Sequence, residues 1–77
     1  MASYYLYHKK SNSVFPLGDT SFNKFYTEDG WRVFTDMVAR GDTILNEMIV
    51  RRDDKKEELT IEDFLKEIEK YKIILDF

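Results

Sequence analysis

A chain of 77 residues without one cysteine has no disulfide and no thiolate metal site to brace it, so apolar packing must hold whatever it folds into. At this size only about 60% of the unfolded surface leaves water, and a single small core supplies a stability of a few kcal/mol. The packing material is aromatic: six Phe, five Tyr and one Trp, 16% of the chain. Such rings bury more area per side chain than aliphatic groups. The reading is therefore one domain, residues 1–77, with a ring-rich interior. The missing thiols also remove a cysteine nucleophile and suit a reducing compartment.

No segment approaches the roughly 20 consecutive apolar residues of a membrane span, and residues 1–10 carry tyrosines where a signal peptide would carry an aliphatic block. The expected location is cytoplasmic, with no membrane partner. Net charge is -3 and unevenly spread. Three lysines face one acid in residues 1–26, whereas five lysines face nine acids in residues 53–77. A weakly acidic chain of this kind lacks the general field that drives binding to phosphate backbones.

Pattern along the chain predicts an α+β fold. Residues 2–9 alternate as a strand, Tyr4, Leu6 and His8 on one side and Tyr5 and Tyr7 on the other, central in its sheet. Residues 10–20, with Ser-Asn-Ser, Pro16 and Gly18, read as a loop whose Val14, Phe15 and Leu17 fold back as a lid. From residue 20 the apolar spacing turns helical through Phe22, Phe25 and Tyr26. The main helix is placed at 28–40, with Thr27 as N-cap and Gly41 as the C-terminal stop. A strand over 44–52, a polar turn at 53–56 and a very short strand at 57–59 follow.

The sharpest local signal is Thr60-Ile61-Glu62-Asp63, a variant capping box with Leu59 and Phe64 as a hydrophobic staple. It opens a helix from 61 to about 70, with Ile61, Phe64, Leu65 and Ile68 on one face. A last strand covers 71–76. The resulting order, βαββαβ, is the ferredoxin-like plan: two helices on one face of a three- or four-stranded, mainly antiparallel sheet whose third strand is very short.

Candidates for chemistry are sparse. His8 is the sole histidine, and Ser11, Ser13, Thr20 and Ser21 sit in turn-like contexts where hydroxyls cap backbone donors. Asp53-Asp54 and Glu57-Glu58 are interrupted by Lys55 and Lys56, against an EF-hand, and the three glycines are too isolated for a phosphate loop. No catalytic residue, metal or cofactor is expected.

Two binding readings remain. An excess of rings over what so small an interior can hide predicts an exposed aromatic patch at Tyr5, Tyr7, Tyr26 and Trp31, able to anchor a protein partner or a second copy in a homodimer. The other reading is a single-stranded nucleic-acid module using Tyr4, Tyr5, Tyr7, His8, Lys9 and Lys10, which combine stacking faces and cations. It is the weaker one, because Glu57 and Glu58 stand where the fold's second basic-aromatic motif belongs. The leading expectation is a small non-catalytic cytosolic binding or regulatory protein. Compact proteins of this style are common among phage and mobile-element genes that modulate host machinery.

Overall fold

In the computed structural model, residues 2–75 are described. The chain begins with three antiparallel strands in sequence: β1 (Ser3–His8), β2 (Ser13–Ser21) and β3 (Lys24–Thr27). Helix α1 (Asp29–Arg40) and a 3-10 turn (Thr43–Glu47) lead to β4 (Met48–Arg52), which pairs with the free side of β1. β5 (Glu57–Leu59) hairpins back on β4, and α2 (Ile61–Ile68) then carries the chain across to β6 (Lys72–Ile74), parallel to β3. One six-stranded mixed sheet results, in the order β5-β4-β1-β2-β3-β6.

Both helices cover the same face. Strand side chains alternate between faces, and the inward set from the strands is Tyr4, Leu6, Leu17, Phe25, Met48 and Val50. Trp31, Phe34 and Met37 of α1 and Phe64 and Ile68 of α2 close over them. Five of these rings form a continuous cluster, Phe64 lying 5.2 to 6.2 Å by centroid from Tyr4, Phe25, Trp31 and Phe34. Offset and edge-on pairs at such distances add to the area term.

The α+β class, the helix pair on one face and the central place of β1 agree with the sequence reading; the ferredoxin-like order and the strand count do not. The expected lid at 10–20 is the long strand β2, and the start of the expected helical stretch is the hairpin into β3. Pro16 is tolerated because the register across β1 slips there: Tyr4 faces Gly18 but Tyr5 faces Pro16, leaving Leu17 as the extra residue of a bulge. Thr27 ends β3 instead of capping α1. The N-cap is Glu28, without a side-chain cap bond, and the buried Thr27 hydroxyl donates to the Ile74 carbonyl at 3.3 Å. The expected strand at 44–52 is a 3-10 turn over its first half. The expected final strand, 71–76, is β6 over Lys72–Ile74, and Asp76 lies outside the described residues.

Local signals hold elsewhere. Gly41 ends α1 at φ 63°. Thr60 caps α2, its hydroxyl accepting from the Asp63 amide at 3.1 Å, while Leu59 packs on the cluster that holds Phe64. Gly30, a weak point by helix propensity, is a point of close approach, for a Cβ there would collide with the Pro16 carbonyl and stand 2.9 Å from the Phe15 Cβ.

Candidate functional site

The helix-free face of the sheet is built by the residues that alternate with the core set. On β1 these are Tyr5 and Tyr7. Register places Tyr5 between Arg51 of β4 and Pro16 of β2, and Tyr7 between Ile49 and Val14. Tyr26, on β3, lies on the same face, opposite Asp19 and Ile74. The three tyrosines are half-buried among one another's neighbours while Val14 and Pro16 are exposed. The Arg51 guanidinium sits 3.9 Å from the Tyr7 ring centroid and pairs with Glu58 at 3.4 Å. A stacked, charge-paired arginine fixes the ring's position but leaves less cationic field to offer a ligand. An open hollow of about 300 Å³ beside Tyr5 is lined by Val14, Arg51, Arg52, Asp53 and Lys56.

Of the residues expected to meet a partner, Tyr5, Tyr7 and Tyr26 share this face and Trp31 does not. Its indole is only 7% exposed, clamped between Phe25 and Phe34, because α1 seats its first turn directly on β2. The nucleic-acid set is divided. Tyr4 is a core ring, His8 points to the helix side at the end of β1, Lys9 and Lys10 lie in the exposed turn after it, and only Tyr5 and Tyr7 reach the open face. Val14, which the sequence reading places in a lid, completes the face with Ile49 and Arg51, which the period-2 alternation of β4 sets on one side.

Tyr4 instead anchors a polar network at the core's edge. Its hydroxyl donates to Glu67 of α2 at 2.7 Å, and Arg52 bridges Glu67 at 3.2 Å and Asp54 at 2.7 Å. Burial, reinforced by the Glu67 carboxylate, pushes the Tyr4 phenol well above its ordinary value. Asp54 is lowered by the hydrogen bond from Arg52, which in turn is held protonated. The network joins β1, β4 and α2.

Polar groups also gather around His8. Its Nδ1 lies 2.6 Å from the Ser11 Oγ, its Nε2 3.3 Å from Glu47, and the Lys10 ammonium meets the same carboxylate at 3.2 Å. Glu47 is lowered, first by Lys10 and then by His8. Hydroxyl, imidazole and carboxylate in series resemble a nucleophile relay, but Ser11 belongs to an exposed turn three residues from His8. The hollows beside Tyr5 and beside Tyr71 are lined by other residues. The arrangement ties the β1–β2 turn to the 3-10 segment. Among the described residues no group of three or more His, Asp or Glu converges as metal donors, no buried side-chain polar atom lacks a partner, and no helix is long and apolar enough to cross a membrane.

No family model matches the chain, and searches of curated proteins and of solved structures likewise return no match.

Proposed function

We propose that the chain is a small non-catalytic cytosolic binding protein that captures a protein partner on the helix-free face of its sheet. One observation carries this reading: Tyr5, Tyr7 and Tyr26 stand on a face with Val14, Pro16 and Ile49 that no element of the described chain covers. Amphipathic rings on a rigid sheet are suited to anchoring an interface, since they supply contact area at low entropic cost.

The nucleic-acid alternative draws support from Tyr5 and Tyr7 as stacking surfaces beside Arg51. It is weakened by the Glu58 partner of Arg51, by the inward course of Tyr4 and His8, and by the net charge of -3. The two readings part on salt. Oligonucleotide binding that falls steeply with ionic strength would favour the second.

The test of the first is the double variant Tyr5→Ser, Tyr7→Ser. Its thermal unfolding and near-ultraviolet dichroism should stay native while capture from extracts of the cell of origin disappears. Unfolding of the variant would make the rings structural, and undiminished capture would place the interface elsewhere. Sedimentation of the wild-type chain tells a second copy from a different partner.

A further inference from the structure

The β2–β3 hairpin reverses on two residues, Phe22 and Asn23, between the paired Ser21 and Lys24. Both central residues have positive φ, 50° and 61°. A two-residue turn of this hand takes asparagine or glycine readily, and Asn23 fits. Phe22 does not, because a bulky side chain in left-handed backbone is strained. Nor does the fold gain from the ring, which is 92% exposed, the most exposed large apolar side chain among the described residues.

The surroundings narrow what such a ring can meet. Lys24 lies directly opposite Lys72 across the β3–β6 pairing. Like charges set side by side repel, and neither lysine has an ion pair among the described residues. Phe22 itself, with Thr20, Ser21, Asn23 and Tyr71, lines an open hollow of about 370 Å³ at the tip. An outward ring on a two-residue turn, two facing lysines without an ion pair among the described residues and an open hollow therefore occupy one end of the sheet in a chain that is acidic as a whole.

We propose that this tip is an anchor that seats Phe22 in an apolar pocket of a partner protein whose rim carries carboxylates facing Lys24 and Lys72. The proposal rests on the reading of the chain as a protein-capturing module and adds an attachment point at the β2–β3 tip, beyond Tyr26 at the end of the tyrosine face. A second copy is disfavoured because tip-to-tip contact would bring four lysines together. A lipid surface is disfavoured because stable membrane attachment takes more than one ring and two cations, and this chain's net charge opposes anionic lipid. Because the turn is already formed, its backbone loses little freedom on binding, and only the ring's own rotamers remain to be ordered.

The test uses the full chain with photoreactive benzoylphenylalanine at position 22 and, separately, at position 7, irradiated in the cell of origin. The expected result at position 22 is a crosslink to one discrete protein at a site flanked by Asp or Glu, abolished by Lys24→Glu with Lys72→Glu. A crosslink at 7 but not at 22 removes the anchor and leaves the binding module standing, whereas adducts at 22 with lipid, nucleic acid or the chain itself overturn the proposal. Phe22→Asn supplies an independent arm. It should raise the melting temperature by relieving the turn, yet bind the crosslinked protein at least about ten-fold more weakly; a lowered melting temperature, or unchanged affinity, would show that the ring serves the fold or nothing.

Discussion

Phe64 concentrates the residue-scale argument. It is fully buried and touches four other rings drawn from β1, β3 and α1, so its removal opens a cavity that none of these elements can fill alone. Phe64→Ala should cost about 3 to 5 kcal/mol, comparable to the whole stability of a domain this small. Urea titration followed by tryptophan fluorescence should find it unfolded or nearly so in water. A native, cooperative variant would mean that the cluster repacks. Phe64 was legible because its partners in the pattern are local: a cap at Thr60 and a stripe through Ile61, Leu65 and Ile68. Trp31 was not, since an indole on an amphipathic helix suits a rim as well as an interior. What decides is the close approach of α1 to β2, which Gly30 permits but which exists only because residues 13–21 form a strand beneath it.

At the scale of elements, the two helices were read within a residue or two of their observed bounds because caps and 3.6-residue periodicity act over one or two turns. β2 and β3 were missed for the complementary reason. Val14-Phe15-Pro16-Leu17 alternates only until the bulge, and proline with glycine normally marks a loop. Phe22-Asn23 is not a usual hairpin signature, and the spacing of Phe22, Phe25 and Tyr26 satisfies a helix template as well as a turn followed by a strand. Pairing with β1 and β6 overrides these local preferences. The close seat of α1 on β2 yields a prediction in which two effects oppose. Gly30→Ala gains up to about 1 kcal/mol of helix propensity. Overpacking against the Pro16 carbonyl and Phe15, at about 1 to 3 kcal/mol, outweighs it. Thermal unfolding should therefore show net destabilisation, and a stabilised variant would reveal slack between helix and strand.

For the molecule as a whole, acid is the informative perturbation. Glu47, bound by Lys10 and His8, and Asp54, bound by Arg52, both titrate below their ordinary values. Carboxylates lowered in the folded state stabilise it above their unfolded pKa of about 4, and that contribution is lost as pH falls through the lowered native values. The melting temperature should thus decline below about pH 4, and Glu47→Gln with Asp54→Asn should flatten the decline. An unchanged profile in the double variant would show that other groups govern acid unfolding. The candidate face divides along the same line as the fold. That Tyr5 and Tyr7 oppose Tyr4 and Leu6 follows from the two-residue period of a single strand, and so was readable from the chain alone, as were the aromatic nature of the interior, both helices and the short β5. Which side of β1 the helices cover, the burial of Trp31, the alignment of Tyr26 with Tyr5 and Tyr7, the Arg51 stack and the projecting Phe22 depend on strand order and register. Those are set by contacts between residues far apart in sequence, whose net free energy emerges only when the whole sheet closes on its core.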